Sequence, residues 1–324
     1  IGNGMGPMLG GFFTEYLSWR WIFLINVPVS ILAIATILWA IPKDSDDEVE
    51  EGIDYFGILT LSLGLFGFML LLDIGADLGW FSSWIIGLFG ASIILLVIFA
   101  FIEKREGMDA LVPEDIIANR EFRMANVAVL MVSAIYFGAL MYLPQFMVKE
   151  LGYTAWMAGA GLLPLLGMFA LSSFVSTPLY EKLGPKMVIT IGAMCLAGGV
   201  YTLSELTTST RFVGLMPGMM IIGIGIGLFY TSITTAAITS RDQSRTSLAS
   251  AIIFMVQNAG GGVGLALTTA IVVTAPNLPD GISRAFTVNA LMALVAVGVS
   301  LFYVAGPLTR ENLFPPRETE TPDD

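Results

Sequence analysis

Apolar runs of about twenty residues, the length an α-helix needs to cross a hydrocarbon core of about 30 Å, recur along the whole chain. A peptide group in lipid has no water to bond, so a spanning segment must satisfy its own backbone, and a helix does so within itself. The runs place spans at 1–16, 21–41, 55–75, 83–102, 124–147, 155–178, 187–206, 213–238, 248–275 and 285–306. With 56% hydrophobic and 13% charged residues among 324, the composition lies outside the range of a water-soluble domain. The fold class expected is all-α: a polytopic membrane protein, a helical bundle with about ten transmembrane helices.

The charges that remain are unevenly placed. Much of the net charge of −11 sits in KDSDDEVEEGID at 43–54 and in the C-terminal RENLFPPRETETPDD, which read as solvated loop and tail. That balance argues against nucleic acid and leaves no polybasic segment for anionic lipid. Cys195 is the single cysteine and no histidine is present, which excludes a disulfide framework, cysteine clusters and histidine zinc sites. No convergent set of nucleophile, acid and metal ligands marks an enzyme, no repeated charged filter marks a channel, and no cofactor is called for. With residue 1 on the cytoplasmic side and the spans alternating, eleven of the 15 basic residues fall in cytoplasmic loops and tail, among them Lys43, Lys104, Arg123, Lys186, Arg245 and Arg310. Arg20, Lys149, Arg211 and Arg284 fall on the other face. The bias of Lys and Arg near span ends sets orientation, so both termini are expected in the cytoplasm and the protein in the cell membrane.

At the start of the chain Gly2, Gly6 and Gly10 recur every four residues, with Pro7 and Gly11 among them. On a helix this spacing bares one face, so a neighbour can approach backbone to backbone, and the proline bends the helix locally. The stretch GNGMGPMLGG, followed by WRWIFLINVP, resembles the antiporter motif and the start of the sixth helix in the fourteen-helix, drug:proton antiporter branch of the major facilitator superfamily. The resemblance implies a C-terminal fragment that begins at the fifth helix, with four helices before it. Residues 1–41 would be the last two helices of the N-terminal half. Residues 42–121 would be the acidic loop, two linker helices and a connecting segment with a short interfacial helix after Pro113. Residues 122–306 would be the C-terminal six-helix bundle, and 307–324 an acidic disordered tail. The implied function is proton-coupled efflux of amphipathic, drug-like compounds by alternating access, with membrane lipid, a small-molecule substrate and protons as partners. A major facilitator transporter of another small solute, or an inactive transporter fragment, are the alternatives. Substrate and oligomeric state are not legible.

The same resemblance supplies candidate sites. TPLYEKLGPKM at 177–187 is similar to the cytoplasmic loop motif of the family, with Glu181, Gly184 and Lys186 as a loop latch between helix ends. YLPQFMVKELGYTAWMAGAGLLP at 142–164 resembles the end of the ninth helix and the start of the tenth, with Gly159, Gly161 and Pro164 letting the latter bend or pack closely. Since the first and fourth helices of each half line the central cavity in this family, Tyr136, Tyr142 and Gln145 on one helix and Tyr230, Thr231 and Thr234 on another are candidate cavity-lining residues. Gln257 and Asn258 join them as polar side chains within a span. Such groups are costly in lipid, so they face the protein interior, where they either touch substrate or bond across helices. The thirteenth helix carries VQNAGGGVGLAL, with Gly260, Gly261, Gly262 and Gly264 expected to pack closely on a neighbour. No acidic residue lies at the middle of a span. A proton-carrying carboxylate is therefore expected upstream of residue 1, with Glu15 as the local stand-in.

Overall fold

The structure, a computed structural model, describes residues 2–40, 54–106, 119–239 and 246–304. Among them there is no strand. The chain begins with α1 (Gly2–Phe12), which runs into a single π-helical turn at Phe13–Leu17, then α2 (Trp21–Leu24) and α3 (Asn26–Ala40). Next comes a hairpin of α4 (Tyr55–Leu78) and α5 (Ser83–Glu106). The remainder is α6 (Arg120–Lys149), α7 (Ala155–Gly161), α8 (Leu163–Leu183), α9 (Pro185–Ser204), α10 (Phe212–Thr239), α11 (Thr246–Val272) and α12 (Leu278–Tyr303). The acidic loop, the segment after Pro113 and the C-terminal tail lie outside the described residues.

Helix starts follow from local chemistry. Asp54 accepts from the Gly57 amide at 2.7 Å, Asn119 from Phe122 at 3.0 Å, Thr154 from Met157 at 3.3 Å and Asn277 from Asp280 at 2.9 Å. Each satisfies one of the first-turn N–H groups that have no partner inside their own helix. The span at 155–178 is interrupted at Leu162, where α7 ends and α8 begins; Pro164 supplies no amide to continue the ladder. Between α8 and α9 the chain reverses through Gly184, whose φ of +79° is a left-handed conformation that L side chains resist.

Eight stretches are long and apolar enough to cross a membrane, α2–α3 and α7–α8 each counting as one. The first expected span is met by α1 with its π turn, which ends at Leu17, and the third by α4, whose apolar part among the described residues is Tyr55–Leu71. On the linker hairpin, α5 continues through Glu103 to Glu106, into what the sequence suggests is a polar connection.

Helices α6 to α12 form the main core. There α10 packs along both α8 and α9, α12 along α9 and α6, and α11 along α6. The reason is visible on α10. A Cβ added at Gly223 or Gly227 would strike α8 at Leu165, Phe169 or Ser172, and one at Gly225 would strike the Leu196 amide of α9. Gly192 of α9 answers from the other side, its missing Cβ 2.7 Å from the Phe229 amide. Lipid offers no hydrophobic drive between helices, so this backbone-to-backbone contact is what makes the bundle cohere. Outside it, α4 lies on α11, α1 lies on α7, and α3 is exposed throughout.

Candidate functional site

Helix α1 meets the α6–α12 bundle at α7, and the contact is reciprocal. A Cβ on Gly11 would overlap the Ala155 carbonyl, and one on Gly159 would overlap the Pro7 carbonyl and approach the Met8 Cα. Two glycines from two helices thus bring two backbones together. Gly6 and Gly10 do not share in this: a Cβ on either meets nothing within 4 Å. Gly2 lies in the first turn of α1, where side-chain surroundings are not described.

A polar contact completes the junction. The π turn after α1 carries Glu15, whose Oε2 accepts from the Trp156 amide at 2.9 Å. Thr154 already serves the Met157 amide, so two first-turn donors of α7 are satisfied, one of them from another helix. The carboxylate also sits at the positive end of a helix dipole. The rings of Phe12 and Trp156 meet edge-on beside it, centroids 5.9 Å apart. Sequence reasoning considers Glu15 only as a proton carrier. The sign of a cap, an acid four residues past the motif and a Thr154-Ala155-Trp156 helix start, is split between residues 141 positions apart.

Beside this contact a cleft of about 390 Å³ is lined by Pro7, Gly11, Thr14, Pro144, Gln145 and Ala158. The candidate cavity residues divide into separate groups. Tyr136 and Tyr230 lie in a buried aromatic cluster with Phe137 and Phe169, centroid distances from Tyr136 being 5.8 to 6.4 Å. Tyr230 Oη is 2.6 Å from Ser133 Oγ and is also hydrogen-bonded by Gln257. Tyr136 Oη is buried and has no hydrogen-bond partner among the described residues. Thr231 and Thr234 are half-buried on the same helix as Tyr230. Tyr142 and Gln145 belong elsewhere, on the flank of α6 toward α4 and α11, where the Tyr142 hydroxyl donates to Thr269 at 2.9 Å. Asn258 is exposed and returns its amide to the Phe254 carbonyl one turn back, so it parts from the rest.

The loop-latch residues also separate. Glu181 is exposed, and Gly184 makes the left-handed turn. Lys186 is fully buried, and its Nζ donates at 2.9 Å to the carbonyl of Val304, the residue that ends α12. A cation on the last carbonyls of a helix complements its dipole. The base of this loop thus ties α9 to the end of the last helix. The thirteenth-helix glycines pack closely: Gly260 against Leu130, Gly261 against Phe137 and Gly264 against Ala134, all on α6, and Gly262 against Met69 of α4.

An α-helical bundle with a glycine-bared helix docked on a broken one is matched by known sequences. Residues 1–265 fit the Major Facilitator Superfamily. This chain belongs to that family. Within the superfamily it is 29% identical over 272 residues to the multidrug transporter protein MdtP of Bacillus subtilis, covering 84% of this chain and 50% of that protein. It is 30% identical over 295 residues to the puromycin resistance protein of Streptomyces alboniger, covering 89% and 58%. To the multidrug export protein EmrB of Escherichia coli it is 25% identical over 268 residues, covering 82% and 52%. The chain thus spans little more than half the length of these relatives. A solved bacterial homologue of the human drug peptide transporters PepT1 and PepT2 superposes with a TM-score of 0.50 at 21% identity, over 60% of this chain and 42% of that one, a likeness of fold.

Proposed function

We propose that this major facilitator protein exports amphipathic, drug-like compounds by alternating access, coupled to inward proton flow. The observation that carries the reading is the α1–α7 junction, where glycine-to-backbone contacts and the Glu15 cap join the antiporter-motif helix to the C-terminal bundle. Rocking of two halves about a central site requires a contact that is tight in one state and separable in the other. The multidrug exporters among the relatives supply the substrate class. With both termini cytoplasmic, the junction lies at the outer face and closes that side. The binding region is the aromatic cluster of Tyr136 and Tyr230, with Thr231, Thr234 and Gln257 near it, and the unpartnered Tyr136 hydroxyl is the group free for a ligand.

The experiment is efflux of a fluorescent amphipathic dye from cells, with and without a protonophore. Wild-type efflux should stop when the proton gradient collapses, and Gly159→Leu, which drives a side chain into the Pro7 carbonyl, should abolish it with insertion unchanged. Dye efflux indifferent to the protonophore would refute the coupling; efflux indifferent to Gly159→Leu would refute the junction's part in it.

A further inference from the structure

We infer that the turn between α4 and α5 is an anchor for the lipid interface: Phe81 and Trp84 sit in the glycerol and headgroup layer of one leaflet and fix the depth of the α4–α5 hairpin. Protein holds this hairpin lightly. Helix α5 packs along α4, α4 lies on α11, and the buried cluster joining them is Leu71, Ile85 and Ala266. The turn itself is well tied. Gly79 takes a left-handed φ of +82°, the Ser82 amide donates to the Gly79 carbonyl at 3.0 Å, and the Ser82 hydroxyl accepts from the Ile85 amide at 3.4 Å. Trp80 folds back on α4 because Gly75 is bare there; a Cβ on Gly75 would lie 2.7 Å from the indole. Two rings are left projecting, Phe81 with 93% and Trp84 with 82% of its surface exposed.

Three observations name the partner. Trp84 stands in the first turn of α5 and the basic pair Lys104 and Arg105 in its last. At 1.5 Å per residue they are separated by about 30 Å of helix, the thickness of the hydrocarbon core, and residues 85–102 between them carry no charge. An amphipathic indole at one end and long cations at the other are the side chains that settle at the two interfaces. The remaining tryptophans repeat the pattern. Trp19, Trp21 and Trp156 lie with Trp80 and Trp84 at this end of the bundle, and Trp39 alone at the other. The third observation is size. Phe81 and Trp84 offer roughly 300–500 Å² of aromatic surface, short of the ~800 Å² per partner that a stable protein interface buries. An indole in the acyl core would lack a partner for its N–H, and a phenyl ring in water would stay wet; the interface serves both.

Spin labelling of the intact chain in lipid nanodiscs tests this. Cys195 is changed to serine, and a nitroxide is placed at Ser83→Cys, an exposed position between the two rings that leaves both in place. Collisions with oxygen, which collects in the acyl core, and with a nickel chelate, which stays in water, give its depth. Phe174→Cys on α8 is the core reference and Ser209→Cys in the turn after α9 the water reference, both at exposed positions. The label at 83 should fall between them, within roughly 5–7 Å of the lipid phosphates, the thickness of the interfacial layer. Changing Phe81 and Trp84 together to serine should move it toward water by a measurable part of that layer. If the double variant does not insert, Phe81→Ser alone serves and should move it the same way. A label at 83 that meets nickel as freely as one at 209, or oxygen as freely as one at 174, overturns the anchor. Protection from both, which a second copy covering the turn would give, overturns it too. So does a depth indifferent to loss of the rings, since the contact with α11 would then set it alone.

Discussion

Replacing Glu15 with alanine isolates one contact at the α1–α7 junction. The carboxylate accepts from the Trp156 amide at 2.9 Å, and alanine leaves that first-turn donor without a protein partner. Loss of a helix cap costs typically about 1 kcal/mol, and loss of a negative charge at a helix N-terminus about 0.3–1 kcal/mol more. If the contact is made only while α1 and α7 are together, on the order of 1–2 kcal/mol moves the population toward separation about five- to thirtyfold, at 1.36 kcal/mol per factor of ten. A cysteine at Ala158 reports on this, since the residue is buried and lines the cleft beside the junction. Cys195, the single native thiol, is first changed to serine. While the separated state is the minor one, the rate of labelling by a membrane-impermeant maleimide follows its population, so Glu15→Ala should raise that rate five- to thirtyfold. Glu15→Gln keeps a carbonyl acceptor and loses only the charge, so a rise of roughly two- to fivefold is expected. The reasoning is refuted if Glu15→Ala labels at the wild-type rate while Gly159→Leu labels faster, because the junction would then open without Glu15 having held it.

Other outcomes follow from the packing. Gly6→Ala should leave efflux and stability near wild type, since its Cβ meets open space, whereas Gly11→Leu should abolish efflux; a dye-efflux comparison of the two checks it. Lys186→Met should destabilise the protein by about 1–3 kcal/mol, the cost of an unpartnered buried carbonyl at Val304, read as a lower melting temperature in detergent. Gly184→Ala should cost about 1–2 kcal/mol through its left-handed φ, by the same assay. Tyr142→Phe should cost about 0.6 kcal/mol, the average for an interhelical hydrogen bond in a membrane, and should leave the bundle folded.

The helices and their order were legible because length and apolarity are local properties, set by the bilayer and readable one segment at a time. The irregularity in the span at 155–178 was legible for the same reason: Gly159, Gly161 and Pro164 lie within six residues of one another and the helix parts at Leu162. Pairings between helices were not. Tyr142 and Tyr136 are six residues apart on α6, and nothing local tells that one bonds Thr269 while the other stacks near Tyr230. Likewise Lys186 reaches a carbonyl 118 positions away, a partner without a side-chain signature. Asn258 shows the limit of reasoning from polarity alone, because a polar side chain in a span can satisfy itself on the preceding turn and remain exposed.

The distribution of glycines separates what is rigid from what can part. On α10 they alternate between two neighbours, Gly223 and Gly227 toward α8 and Gly225 toward α9, so that helix is held from both sides. Moving either neighbour would open voids along several turns, and lost packing is not recovered from lipid, which is as apolar as the side chains. At α1 the tight contacts are few and lie on one face: Gly11 on Ala155, Gly159 on Pro7, and one carboxylate on one amide. Separation there breaks a short set of contacts and exposes two backbones that glycine alone had allowed to meet. A unit packed from both sides and a junction of few contacts are the two mechanical parts that the proposed rocking would need. It follows that a disulfide locking α1 to α7 should stop efflux while leaving dye binding in place, and that a disulfide between α9 and α10 should stop neither.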